Sequence, residues 1–185
     1  ASAFKFHSGL STPHPYSSQA WQWLILGRPT SYFYESPKLG SAGCTVKSCS
    51  EAILNIGNPA IWWAFIPAIL VGLFVFLLKR DWRFGALLLV FGAGYFPWFM
   101  YPTRTMFYFY ALSFEPFLML LLAGALGLCL SGARGSVVRA RVGVTVVVLY
   151  LVGVLVLSAY FMPLWTAQVV PYEQWYSHMW FKSWI

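Results

Sequence analysis

Apolar residues run with few breaks from Ile53 to Phe161; charges interrupt them only at residues 79–83, at Arg104, at Glu115 and within 134–141. A hydrocarbon layer about 30 Å thick is crossed by about 20 helical residues rising about 1.5 Å each. Four stretches suit that length: 59–78, 84–101, 106–130 and 142–165. None shows the two-residue alternation of a barrel strand, so each is expected to be helical. The third is long and is expected to tilt, or to bend at Pro116, where neighbouring helices must satisfy the freed carbonyl. The pattern therefore predicts an all-α membrane protein with four transmembrane helices. An extracytoplasmic, interfacial segment (1–58) precedes them and an aromatic tail (166–185) follows.

Before the first span, Ser17 or Ser18 is placed to cap a short helix running through Leu26, with Gly27 closing it and Pro29 blocking its continuation. At about ten residues it is too short to span. Its Trp21, Trp23, Leu24, Ile25 and Leu26 suit either a helix lying in the outer interface or one packed on the rest of the protein. The opening Ala-Ser-Ala-Phe-Lys-Phe-His has no starting methionine and no charged leader with a cleavage site, and it reads as the interior of a longer protein.

Composition agrees with the pattern. Hydrophobic residues make up 59% of the chain and charged residues 9%, a balance whose apolar surface exceeds what a soluble core of this size buries. The net charge of +7 does not point to nucleic acid, because no basic stripe lies on a polar surface. Half of the 12 cations (Lys79, Arg80, Arg83, Arg134, Arg139, Arg141) fall in the connectors 79–83 and 131–141, against a single Asp81. The positive-inside bias assigns both connectors to the cytoplasm. Cys44 and Cys49 lie in a Gly/Ser/Lys loop before the first span; joined, they mark an oxidising compartment, and they stay free where oxidation is lacking. Span parity puts that loop opposite the basic connectors, so residues 1–58, the turn at 101–105 and the tail are expected outside. The Trp- and Tyr-rich residues 171–185 suit the headgroup level.

Three stretches carry a resemblance. His14-Pro-Tyr-Ser-Ser, followed by Trp21-Gln-Trp and Arg28-Pro29, resembles the start of the C-terminal membrane region of protein O-mannosyltransferases. Asn55-Ile-Gly-Asn-Pro-Ala-Ile-Trp-Trp63 resembles that family's lead into the next span, and Arg104-Thr-Met-Phe-Tyr-Phe-Tyr110 its Arg-Met-Phe segment. The resemblance covers essentially the whole chain, in order. Short loops and Ala/Gly/Val/Arg usage point to a bacterial, actinobacterial-looking member, and hence to a bacterial plasma membrane. One departure is the absence of the histidines that eukaryotic members usually carry near Tyr108 and Tyr110, which leaves no histidine role there.

The resemblance implies a GT-C class glycosyltransferase that moves mannose from a polyprenyl-phosphate-mannose donor to Ser or Thr of a translocated acceptor protein. Inversion at the anomeric centre needs a carboxylate to take the hydroxyl proton and cations to hold the phosphate. In this family the catalytic acid lies in the first outer loop. The carboxylates here are Glu35, Glu51, Asp81, Glu115 and Glu173, with no Asp-Glu pair. No catalytic residue is therefore assigned to this chain, which would supply carrier binding and scaffold to the remainder of the enzyme. No cofactor is implied, and membrane lipids, donor and secreted acceptor are the expected partners.

Arg104 is the leading candidate for the carrier phosphate, because its guanidinium suits that group and its short outward turn suits that level; the alternative is contact with ordinary headgroups. His14, Tyr16 and Arg28 are candidates for the carrier headgroup or acceptor, with loop shaping and helix capping as the alternatives. Glu115, read as lying inside the third span about three turns from Arg104 and on the same face, lines the site or pairs with a group elsewhere in the enzyme. His7, His14 and His178 have no metal-site spacing. Cys129 is expected as a small apolar filler, and Gly92, Gly94, Gly124 and Gly127 as points of close helix approach. Trp21 or Trp175 would serve as a sugar-stacking platform. Competing readings are a transporter or channel helper bundle and a structural membrane anchor.

Overall fold

Each long helix begins where the backbone chemistry favours a helix N-terminus. The structure, a computed structural model, describes Phe6 and residues 9–131 and 136–185; His7 and Arg134 lie outside the described residues. In chain order the elements are a single helical turn α1 (Ala20–Trp23), strands β1 (Thr30–Glu35) and β2 (Cys49–Asn55), and helices α2 (Pro59–Lys79), α3 (Trp82–Tyr95), α4 (Glu115–Ser131) and α5 (Val137–Trp165). A two-residue strand β3 (Val170–Pro171) and helix α6 (Tyr172–Ser177) follow. Helix α2 opens on Pro59, whose missing N–H costs nothing at a first helical position. Asp81 caps α3 by accepting the Arg83 N–H at 3.1 Å. The Arg83 guanidinium also donates to this carboxylate and holds it below the usual carboxylate range. Helix α4 opens on Glu115 and Pro116, an acid and a proline in the first turn.

Among the described residues three helical segments are long and apolar enough to cross a membrane: Pro59–Lys79, Trp82–Met100 (α3 with a 3-10 extension) and Val137–Trp165. Helix α4, with 17 residues, is shorter. The third expected span, 106–130, is corrected by the structure. Its α-helix starts at Glu115, and Tyr108–Ser113 coil as a 3-10 segment instead. Within an α-helix the Pro116 ring would collide with the carbonyl four residues back, so the helix starts beside it rather than bending there. The fourth helix begins at Val137 rather than 142, which places Arg139 and Arg141 on its first turns and not in a connector. Long arginine stems let their charged ends reach polar surroundings from such positions.

The chain divides into two compact units. The helical unit comprises residues 59–102 and 110–156. In it α2, α3 and α4 pack on one another around fully buried Phe65, Phe114, Leu118 and Leu121. Rings of Phe91 and Tyr95 stand 5.5 Å and 5.4 Å from Phe114. Of the four glycines expected at close approaches, Gly94 and Gly124 serve that purpose: a Cβ would lie 3.1 Å from Phe114 and 2.9 Å from the Phe84 ring, respectively. Gly92 meets only Phe96 of the following turn, and Gly127 faces nothing within 4 Å. At Gly143 a Cβ would run into the Cys129 carbonyl, so α5 reaches the α4 backbone there because the side chain is missing. Cys129 itself is exposed rather than a buried filler. Leu70, Leu78 and Leu89 also stand exposed on the outer faces of this unit, as hydrocarbon-facing helices require.

The second unit (residues up to 58, 103–109 and 157–185) contains an antiparallel sheet in the order β1-β2-β3, which the sequence reading did not anticipate. Ser31 faces Leu54 while Phe33 faces Ile53, so Tyr32 is an extra, bulged residue in β1. Beyond the hairpin, Lys38 bridges Ser48, and Cys44 and Cys49 form a disulfide with Cα atoms 5.9 Å apart. Helix α1 is shorter than expected and differently capped. Gln19 and Gln22 form a reciprocal capping box, and Ser18 instead accepts the Trp23 indole N–H at 2.9 Å. Leu26, not Gly27, takes the left-handed conformation (φ 57°), and Gly27 N–H returns to the Gln22 carbonyl at 2.8 Å. Trp23 and Leu26 are fully buried while Trp21 and Ile25 are exposed, so one face of the turn packs inward. Indole N–H groups tie distant segments: Trp184 donates to the Leu26 carbonyl at 2.6 Å and Trp165 to the Ile56 carbonyl at 2.8 Å.

Two outcomes follow for stability in detergent. Gly143→Ala is expected to cost about 1–3 kcal/mol through the backbone clash. Gly127→Ala, in open space, is expected to be neutral or to stabilise by up to about 1 kcal/mol. Thermal unfolding of the two variants checks both. Replacing Cys44 and Cys49 together by Ala opens a small loop, so the expected loss is about 2 kcal/mol. Circular dichroism should show the helical content of that variant unchanged.

Candidate functional site

The loop at 103–109 is fastened to residues 10–18 by main-chain hydrogen bonds. Thr105 donates its N–H to the Leu10 carbonyl at 2.9 Å, and its hydroxyl to the Thr12 carbonyl at 2.5 Å. Ser18 N–H returns to the Met106 carbonyl at 2.8 Å, and Met106 and Tyr108 are buried as anchors. This register places half-buried Arg104 on the segment that lies along the His14-Pro-Tyr stretch. His14 Nδ1 accepts the Tyr16 N–H at 3.1 Å, and the His14 ring meets Phe107 edge-on with centroids 5.0 Å apart. A ring nitrogen that accepts a hydrogen bond leaves the other, Nε2, to carry the proton of the neutral tautomer, so exposed His14 presents a donor to its surroundings.

Arg28 plays a different part. Its guanidinium sits over the Tyr16 ring, 5.2 Å from the centroid. Its N–H groups go to carbonyl oxygens: Pro15 at 2.9 Å and 3.2 Å, Ser183 at 2.5 Å and Ile185 at 2.6 Å. A planar fork with several donors suits this divergent task, which a single ammonium would not perform. Arg28 thus orients Tyr16 and holds the tail.

The structure therefore brings His14, Tyr16, Arg28 and Arg104 into one unit. Glu115 belongs to the helical unit, where it is the first residue of α4 and not a residue inside a span. Among the described residues no group of three or more His, Cys, Asp or Glu could hold a metal ion. What the cluster offers chemically is a guanidinium, an imidazole donor and a phenol beside exposed rings, a set suited to an anionic oxygen with a polar neighbour.

Sequence reasoning missed a cavity of about 310 Å³ in the same unit. Its floor is one face of the β1–β2 hairpin, with Ser31, Tyr34, Ala52 and Leu54, and one wall is formed by Tyr172 and Trp175. Trp175 had a signal in the aromatic tail; the floor had one in the alternating residues of 30–35 and 49–55. Trp21, the other expected platform, does not line this cavity and is 57% exposed.

Comparison with known proteins gives the architecture a context. A family model described as the C-terminal four TMM region of protein-O-mannosyltransferase matches residues 1–184. The polyprenol-phosphate-mannose–protein mannosyltransferase of Mycolicibacterium smegmatis is 33% identical over 186 residues, covering 98% of this chain and 36% of the relative. The protein of the same name from Mycobacterium tuberculosis is 32% identical, covering 100% of this chain and 36% of the relative. That of Corynebacterium glutamicum is 35% identical, covering 99% and 35%. The chain thus spans about a third of the length of these relatives. A solved structure of the Saccharomyces cerevisiae protein O-mannosyltransferase Pmt1-Pmt2 complex bound to the sugar donor superposes with a TM-score of 0.73 over 100% of this chain and 25% of that one. Sequence identity to it is 22%, a likeness of fold. With its whole length matched and its helices and loops arranged as in that membrane enzyme, the chain belongs to the protein O-mannosyltransferase family, as that family's C-terminal membrane region.

Proposed function

We propose that this chain is the C-terminal part of an enzyme that moves mannose from polyprenyl-phosphate-mannose to Ser or Thr of proteins crossing a bacterial plasma membrane. The observation that carries this reading is the match of the whole chain to relatives named for that reaction. The acceptor hydroxyl oxygen attacks the anomeric carbon, the bond from that carbon to the phosphate oxygen breaks, and polyprenyl phosphate leaves with an added negative charge. A carboxylate from the remainder of the enzyme takes the hydroxyl proton. Arg104 neutralises the leaving phosphate, stabilising the transition state more than the neutral-leaving-oxygen ground state. Exposed His14 and half-buried Tyr16 orient the headgroup or the acceptor beside it, while Arg28 keeps Tyr16 in place. Glu115 serves the start of α4, where a carboxylate favours the helix dipole. Membrane lipids, the acceptor protein and the remainder of the enzyme complete the set of partners.

This reading carries a topology. Residues before α2, the 101–105 turn and the tail face outward, and residues 79–83 and 131–141 face the cytoplasm. The disulfide supports the outward assignment, since such bonds persist in oxidising compartments.

Two measurements test the proposal in the full-length enzyme. In a membrane assay of mannose transfer from polyprenyl-phosphate-mannose, Arg104→Ala is expected to lower kcat/KM at least about tenfold, about 1.4 kcal/mol. Arg104→Lys should retain part of the rate, because an ammonium keeps the charge but loses the fork. An unchanged rate in Arg104→Ala would remove that residue from the site. For topology, single cysteines at Lys47 and Arg139 are introduced in a Cys129→Ser background. A membrane-impermeant maleimide should label position 47 in intact cells and position 139 only after permeabilisation; the reverse pattern overturns the orientation.

A further inference from the structure

The cavity under the β1–β2 hairpin shares Tyr16 with the candidate site described above, but the rest of its lining differs in chemistry. Its lining carries no charged side chain. The bulge at Tyr32 sets Ser31 opposite Leu54 and Tyr34 opposite Ala52, so these four share one sheet face despite the odd spacing of Ser31 and Tyr34. Against that floor stand the rings of Trp175, 5.2 Å from Tyr34, and Tyr172, 5.6 Å from Trp175. Hydroxyls punctuate the aromatic surface: the Tyr34 oxygen lies 3.1 Å from Ser50 Oγ and accepts from Ser36 Oγ at 3.3 Å, and Ser31 and Tyr172 add their own.

This lining discriminates between ligands. A carrier phosphate or a carboxylate finds no charged side chain in the lining, and the bordering Arg28 guanidinium already donates to main-chain oxygens, so burying an anion here is unfavourable. A polyisoprenyl tail would make no use of the Tyr172 hydroxyl or of the remaining hydrogen-bonding capacity of Tyr34 and Ser31, which also bond within the hairpin. A pyranose ring satisfies both kinds of surface, laying its C–H face on an aromatic ring while its edge hydroxyls exchange hydrogen bonds with phenol and serine. The volume of about 310 Å³ stands at the low end of small-ligand sites, which run from about 300 to 1,000 Å³. That size suits one hexose unit and not an oligosaccharide.

We propose that this cavity binds a neutral hexopyranoside, in a subsite that adjoins the donor-phosphate site through Tyr16. Resting on the mannosyltransferase reading above, it would receive a mannosyl unit already present on the acceptor chain and so favour acceptors that carry one. The step is binding alone; no bond is made or broken in the cavity.

The test uses the full-length enzyme in lipid nanodiscs, a fluorescent Ser/Thr peptide, and the same peptide bearing one α-mannosyl unit. Equilibrium binding should show the mannosylated peptide about tenfold tighter, with methyl α-mannoside competing against it but not against the bare peptide. Trp175→Ala and Ala52→Leu should each erase the difference, and Ala52→Leu should leave binding of the bare peptide, and mannose transfer to it, unchanged. Ala52→Leu fills the floor and keeps every aromatic wall, which separates lost binding from lost folding. Equal affinity of wild type for the two peptides overturns the proposal. So does an equal loss for both peptides in the two variants, which would assign the cavity to a peptide side chain. Competition by methyl α-mannoside without any preference for the mannosylated peptide would confine the site to free glycosides and remove its acceptor role. Absence of mannose transfer in the wild type would instead count against the mannosyltransferase reading and leave the binding result standing.

Discussion

Hydrocarbon offers the backbone no hydrogen-bond partner, and between residues 59 and 165 the chain is organised by that one deficit. Helices absorb the peptide groups, so the remaining design problem is where each helix starts, where it stops and how closely two can approach. Starts are assigned to Pro59, to the Asp81 cap and to the Glu115–Pro116 pair, residues that suit the first turn for different reasons. Close approach is solved by omission: with apolar lipid on the outside there is little hydrophobic gain in helix association, and dispersion between near backbones takes over. Gly124 under the Phe84 ring and Gly143 against the α4 backbone are the points where that exchange is visible.

The sheet-bearing unit solves another problem with other means. Beside a core that includes Trp23, Leu26, Phe161 and Trp184, it draws cohesion from side-chain donors seated on carbonyl oxygens far away in the chain. Arg28, Trp165 and Trp184 each close such a link, while Asn58 reaches Ser158 Oγ at 2.8 Å. His178 lies between the carbonyls of Gln174 and Tyr160, 2.6 Å and 2.7 Å from its two ring nitrogens. The bonds of Arg28, Trp184 and His178 converge on the tail, so Trp184, which reads as a headgroup-level aromatic, also acts as a structural closure. Trp184 is 2% exposed, and an indole that anchored only in an interface would not be so enclosed.

What the sequence made legible follows the range of the interaction involved. Apolar helices are written in local composition, so their order could be read directly, although among the described residues three, not four, are long and apolar enough to span. The start of α4 depends on whether Pro116 bends a helix or begins one; hydropathy is silent on that choice, and the Met106–Phe114 stretch is apolar either way. The strands were overlooked because each is short and lies among loop residues, although Thr30–Glu35 and Cys49–Asn55 carry the aromatic and β-branched residues that strands prefer. The candidate site residues His14, Tyr16, Arg28 and Arg104 lie in stretches that carry the family resemblance, but only the fold shows the tethering task of Arg28. The cavity was out of reach because its floor exists only once the pairing register is known.

That register has an evolutionary corollary. Tyr32 is surplus to the ladder: the residues on either side of it already face consecutive partners, Leu54 and Ile53. Its ring points away to Phe109 at 6.3 Å, and its hydroxyl accepts from Asn55 at 3.0 Å. A homologue one codon shorter at this position would form a regular hairpin with the inward-facing pair Ser31 and Tyr34 undisturbed. It would forfeit only the outward bridge toward the loop that carries Arg104, so natural length variation could uncouple one recognition element from the other.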